Sequence, residues 1–408
     1  MAEFMSDRIA KRGTFSLQPG HVVPPVALSA PRAAAGRSRS IYGTERNWTI
    51  NGDFFRLPRE GVARYARELV VALDGLLGEG HRSSEGLRLR LVSPVPLPSG
   101  FDLHNIRVRV VPEAIRPRLP QVWVQCQLPR HVEGGLLSFC NLAPVAVSRQ
   151  IVCIHDLQTR LTPQSYGRLF RWTHRALLPV LGRRVARIVT VSETSRRHLA
   201  RYGVAAAGKV TVGYNGCDHA RRWRPDRAGI RPGGDRPYVL CMGRTQAHKN
   251  LDLLRHIAPR LDAAGIDLTI VGAPDLLRPL VGEASNIRYP GRLDDDSLAA
   301  ALRAAHCLVL PSRFEGFGLP AVEAMIWECP VVAASAPCLP EICADAALYA
   351  DPDRPDAWVA AILSLADPKT RGRLVEAGRR RADRFTWRAV AETYLSLMAQ
   401  IDAAEVAR

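Results

Sequence analysis

A chain of 408 residues exceeds one ordinary hydrophobic core and points to two domains of roughly 170 residues each. No apolar run approaches the roughly 18 residues of a membrane-spanning helix, no apolar leader opens the chain, and nine cysteines without a Cys-x2-Cys pair argue against a disulfide scaffold or zinc module. The expected location is cytoplasmic, peripheral at the inner face of the membrane, because the net charge of +17 is concentrated in residues 1–230, with 35 basic and 16 acidic side chains, against 21 and 23 in residues 231–408. The first half therefore faces something anionic, either nucleic acid or a lipid diphosphate at a membrane surface. An aromatic content of 6% and the lack of any RNA-binding signature argue against nucleic acid.

Residues 1–46 read as a loosely held arm rich in Pro, Ala, Ser and Arg, with Met1–Phe4 a vector scar ahead of Met5. The first domain, 47–219, opens on a strand at Trp48–Ile50. Val62, Tyr65, Ala66, Leu69, Leu73 and Leu76 then recur at helical spacing and predict a helix over 62–77. Gly61 at its start, flanked by Arg59 and Arg64, makes a phosphate-facing loop. Arg64 is either a diphosphate contact or a solvated helix charge. Strands are predicted at 87–92, 107–111, 122–124, 134–139 and 151–154, the last ending at His155-Asp156. A polar pair just past the C-terminal end of a buried parallel strand lies where α/β sheets place ligand contacts, although Asp156 also suits a helix cap. Residues 167–187 carry six arginines and one apolar face, which fits either a helix lying on anionic lipid or a surface helix pair packed on its sheet. A strand at 188–191, a helix capped by Ser192 or Thr194, and a last strand over 209–218 with a tight Asn215-Gly216 turn complete the domain. Residues 220–237, rich in Arg, Pro, Gly and Asp, read as a linker.

The second domain, 238–385, begins with the strand Tyr238–Met242, then Gly243-Arg244 and Lys249 before an amphipathic helix. Two cations in a strand-to-helix loop can neutralise charge developing on a leaving diphosphate. Lys249 is one of four lysines beside 52 arginines, which suggests a need for a compact ammonium. Strands at 268–271 and 287–290 follow, the second leading to Arg292 and a helix from Asp294. Next comes LVLPSRFEGFGLPAVEAM, residues 308–325: a buried strand from Cys307, a turn with Gly316 and Gly318, and a helix opened by Pro320. Strand, glycine turn and helix start form an anion site. Glu315 and Glu323, with seven residues between them, frame it, and a carboxylate is a good acceptor for sugar or ribose hydroxyls. A strand at 331–334 and a last helix, 386–408 from Thr386, finish the chain.

The segment PSRFEGFGLPAVEAM resembles the Glu-x7-Glu signature of glycosyltransferase family 4, the retaining GT-B enzymes. Gly243-Arg244 to Lys249 is similar to that family's Gly-Arg-x4-Lys, and the IHDL and VSETS segments are similar to its first-domain motifs. The resemblance spans about residues 48–400 and is most specific over 238–350. It implies an α/β GT-B fold, two Rossmann-like domains facing a central cleft, with the last helix crossing back to the first domain. It implies that Glu315 contacts the donor sugar and Glu323 the ribose. Arg244, Lys249 and the stretch Gly316, Phe317, Gly318 and Leu319 would hold the diphosphate. Gly243 and Arg292 would lie beside the nucleotide, and His155 would position the sugar. Gly61 and Arg64 resemble the family's first glycine loop, with Glu60 in place of one glycine; Glu328-Cys329 replaces another. The expected reaction is retaining and needs neither metal nor cofactor. Its donor would be a nucleotide sugar, GDP-mannose favoured, and its acceptor a glycan or a polyprenyl-diphosphate-linked oligosaccharide. A UDP-dependent glucosyl or galactosyl transferase, a sugar-nucleotide epimerase and a phosphorylase share the fold and stay open.

Overall fold

The computed structural model describes residues 45–407 apart from 115–119 and 231, so nearly all of the expected N-terminal arm lies outside the described residues. Among the described residues, thirteen strands form two sheets. The first holds β1 (Arg46–Asn51), β2 (Leu87–Ser93), β3 (Arg107–Val110), β4 (Gly135–Ser138), β5 (Gln150–Cys153), β6 (Arg187–Thr190) and β7 (Val210–Val212), in the order β3-β2-β1-β4-β5-β6-β7. The second holds β8 (Tyr238–Met242), β9 (Asp267–Val271), β10 (Ile287–Arg288), β11 (Cys307–Leu310), β12 (Val331–Ala334) and β13 (Ala347–Ala350), in the order β10-β9-β8-β11-β12-β13. All pairings are parallel. Helices cover both faces of such a sheet, which is why β4, β5, β11 and β12 are buried at every residue, and β11 and β12 read as unbroken apolar runs. Each order reverses once, between β1 and β4 and between β8 and β11. Ligands bind outside the strand ends at such a switch point. This is the two-domain α/β GT-B arrangement.

Three local expectations change. Val122–Val124 is not a strand: Pro120–Val122 is helical and Trp123–Gln127 continues as a wider turn, which sets Trp123, Val124 and Leu128 against Val92 and Leu136. A short apolar run fits helix and strand equally, and packing decides. The arginine-rich segment forms one helix, Arg168–Arg184, with Pro179 inside it, in place of a pair. The last strand stops at Val212. Gly216 serves a close approach, since a Cβ there would lie 2.3 Å from the Trp387 amide nitrogen.

The helix Trp387–Val406, capped by Thr386, packs along the helix Val62–Gly78, where the Tyr65 and Tyr394 hydroxyls share a hydrogen bond of 3.1 Å. Its buried Asp402 accepts from Trp48 Nε1 at 3.0 Å and pairs with Arg46 and Arg149. Across the cleft, Glu341 accepts the amides of Glu193 and Thr194 at 2.6 and 2.9 Å. A carboxylate from the second sheet thus satisfies the first turn of a helix on the first.

Candidate active site

Both switch points open on the same cleft. In the second sheet, β11 ends at Leu310 and the chain passes through Ser312 and Glu315 to Gly318, whose φ of 92° starts the helix Leu319–Ile326. That conformation excludes a side chain, and a Cβ on Gly318 would also lie 2.6 Å from Leu339 Cδ2. Phe317 is buried edge-on against Phe385, with ring centroids 5.3 Å apart. The loop after β8 supplies Lys249, whose Nζ donates to Glu315 Oε1 at 2.7 Å. Burial alone would raise the Glu315 carboxyl; Lys249 and a Ser312 hydrogen bond more than offset it, so the group lies below the ordinary glutamate value. Gly243 allows tight packing, since a Cβ there would meet Leu277 Cδ1 at 2.6 Å.

Arg244 is half exposed and pairs across the cleft with Glu60, in the loop before the helix Val62–Gly78. Glu60 is the residue that stands where the resemblance calls for glycine. Gly61 holds φ at 52°. Arg64, 7% exposed, forks onto Asp295, with Nη1 to Oδ2 at 3.1 Å, and lies 5.5 Å from the Trp223 ring centroid. Burial works against the Arg64 charge, and Asp295, Glu323 and Glu68 outweigh it. The solvated-charge reading of Arg64 therefore gives way to a buried cation bridging the two sheets. Arg292 is exposed at the turn after β10 and faces solvent.

His155, at the end of β5, is 5% exposed and its Nε2 donates to the Phe139 carbonyl at 2.8 Å. Burial pushes its pKa down to about 4, so at neutral pH the ring is uncharged and Nδ1 keeps its lone pair. A neutral ring of that kind accepts a hydroxyl proton and cannot act as a cation. Asp156 accepts from the Gln158 amide at 3.0 Å in the turn ahead of the helix Gln158–Leu161, but it is not the cap expected of it, since Leu157 is the N-cap; a Cβ on Gly316 would lie 3.0 Å from its Oδ2. The end of β5 and the loop after β11 are thus in direct apposition.

Three site residues escaped sequence reasoning. His219, 1% exposed, lies 2.9 Å from Glu323 Oε1. Trp223 faces Arg64, and His248, 2% exposed, sets Nδ1 3.1 Å from the Ser165 hydroxyl. None of the three has a local signal of the kind Glu60 shows by replacing glycine; each is defined by a partner more than 80 positions away. A cleft cavity of about 540 Å³ is lined by Arg64, His219, Trp223, Leu293 and Asp294–Asp296. A second depression, of about 490 Å³ by Leu77 and Arg82, carries none of these groups.

The family model "Glycosyl transferases group 1" matches residues 236–367, which include Arg244, Lys249, Glu315 and Glu323. The chain is 30% identical to O-antigen chain mannosyltransferase B of Escherichia coli over 261 residues, 60% of this chain and 68% of that protein. It is 25% identical to O-antigen chain mannosyltransferase RfbU of Salmonella typhimurium, over 53% of this chain and 60% of that one. Sucrose-phosphate synthase from Thermosynechococcus elongatus has the same fold, with a TM-score of 0.65 at 20% identity over 88% of this chain and 100% of that one. The parallel sheets, the cleft between them and these likenesses together make the chain a member of the group 1 glycosyltransferases, family 4, with the GT-B fold.

Proposed function

We propose that this glycosyltransferase moves a hexose, with retention, from a nucleotide diphosphate sugar to a hydroxyl of a lipid-linked glycan in polysaccharide assembly, and that the donor is GDP-mannose. The reading rests most on one observation, the Lys249–Glu315 pair at the β8/β11 switch point beside the amides of Gly316 to Leu319. Lys249 and Arg244 supply positive charge for the leaving diphosphate, Arg244 after release from Glu60. Glu315 holds the sugar hydroxyls, Glu323 the ribose, and neutral His155 orients the sugar by accepting from it. Attack comes from the same face as departure, and the leaving phosphate takes the acceptor proton. No protein base, metal or cofactor is assigned. Two O-antigen mannosyltransferases among the relatives support mannose and a polysaccharide product.

The acceptor side has its own support. The helix Arg168–Arg184 exposes Leu169 and Trp172 at 79% and 77%, and Phe170 at 46%, among its arginines. Phe170 stacks on Tyr166 at 5.8 Å and Tyr166 on His248 at 6.4 Å, next to Lys249. A basic, apolar surface therefore runs from the reaction centre outward, as an acceptor with a lipid tail requires. No helix among the described residues is long and apolar enough to cross a membrane.

The test is transfer from GDP-, UDP- and ADP-sugars to a lipid-linked acceptor in the presence of EDTA, with product anomers read by NMR. Turnover of GDP-mannose to an α-linked product is expected. Transfer from another donor only, an inverted product, or full loss with EDTA would overturn the corresponding part. Sedimentation with anionic liposomes should fall several-fold in the double variant Leu169→Ser, Trp172→Ser; unchanged sedimentation would overturn the membrane contact.

A further inference from the structure

The ribose role of Glu323 leaves open what aims its carboxylate. The structure supplies a fixed donor. His219 Nε2 lies 2.9 Å from Glu323 Oε1, and the other ring nitrogen, Nδ1, lies 3.0 Å from Trp387 Nε1. An indole N–H only donates, so Nδ1 must present its lone pair. The neutral ring then carries its single proton on Nε2, directed at Glu323. Trp387 is itself held, because its amide donates to Asp218 Oδ1 at 2.9 Å and Gly216 packs against its backbone. The relay therefore runs from the first turn of the C-terminal helix through a ring with one allowed tautomer to one carboxylate oxygen. Oε2 has no hydrogen-bond partner among the described residues, and His219 lines the cleft cavity together with Arg64 and Trp223.

We propose that His219 is a positioning residue: it pins Glu323 Oε1 so that the carboxylate meets the ribose hydroxyls of the donor, with Trp387 setting the tautomer. The inference rests on the donor site proposed above. It makes ribose recognition depend on two residues from outside the Glu-x7-Glu segment, one before β8 and one on the helix that returns to the first sheet.

The test is calorimetric binding of GDP and UDP against their 2′,3′-dideoxy counterparts. Wild type should prefer the ribonucleotide of its own base by roughly 10- to 100-fold, the range for hydrogen bonds to a charged group. His219→Leu should bring that ratio within about threefold, whereas His219→Gln, whose amide N–H can reach the same oxygen, should keep most of it. Trp387→Phe, which removes the donor to Nδ1, should lie between, and it carries the test should His219→Leu not fold. A ratio as large in His219→Leu or Trp387→Phe as in wild type would overturn the positioning role while leaving the donor site standing. A wild-type protein that binds ribo and dideoxy forms equally, or binds neither, would overturn both.

Discussion

The two sheets share an order and a switch point, yet they treat the side chains at their strand ends differently. In the second, Lys249 and Glu315 pair with each other beside the loop after β11, and the proposed donor would exchange for either partner. In the first, most of the corresponding atoms are committed to protein: His155 Nε2 to the Phe139 carbonyl, Asp156 to the Gln158 amide, Arg64 to Asp295. Its excess charge lies instead on outer surfaces, such as the helix Arg168–Arg184 and the exposed β3. A diphosphate calls for a few cations and amides at fixed positions, whereas a glycan on a lipid calls for area. On the proposed reading, similar topology serves a compact donor site on one side and a broad acceptor surface on the other.

The comparison breaks most strongly at the helix that joins the sheets. Asp402→Ala removes the carboxylate shared by Arg46, Trp48 and Arg149, and should cost about 3–5 kcal/mol in a urea titration. The donor contacts are untouched, so surviving folded protein should bind nucleotide normally. Lys249→Met should come next, lowering kcat by about 10²- to 10³-fold, the usual cost of removing one preorganised donor to developing charge. An equal fall in kcat for Arg168→Ala would erase the distinction between site and surface.

Acid sensitivity should arise on both sides of the cleft. His155 and His248 each have a pKa pushed down to about 4 by burial, with Lys249 adding to the effect at His248. For a base lowered in the folded state, the unfolded chain takes up the proton first. Their full contribution is present above the unfolded value of about 6.5 and is lost as pH falls toward the folded value, by up to roughly 3 kcal/mol each. The depressed Glu315 acts in the same direction lower down, its contribution disappearing as pH falls below the ordinary glutamate range. Melting temperatures from pH 7 to 4 should show the decline, and His155→Gln and His248→Gln should each flatten it.

Smallest of all should be the effect of Glu60→Gly. The Glu60–Arg244 pair is half exposed, and such pairs contribute about 0.2–1 kcal/mol. Releasing Arg244 should lower the donor KM by no more than about fivefold with kcat unchanged. A rise in KM would mean that Glu60 helps bind the donor and does not compete with it.

What the sequence determined by itself was local. Apolar runs located most strands, though not Ala347–Ala350, because a parallel strand buried on both faces leaves little choice of residue. The order Gly243-Arg244, Lys249, Glu315, Gly318, Glu323 was legible because these residues sit on the loops and helix starts that directly follow buried strands. The failed strand at Val122–Val124 marks the limit of that reading, since a three-residue apolar run carries no period. Tertiary structure alone decided the partners. His219 meets Glu323 across 104 positions, Arg64 meets Asp295 across 231, and Asp402 reaches Arg46 across 356. Such contacts follow from how two sheets and a returning helix pack, and packing depends on shapes summed over the whole chain, which no local pattern encodes.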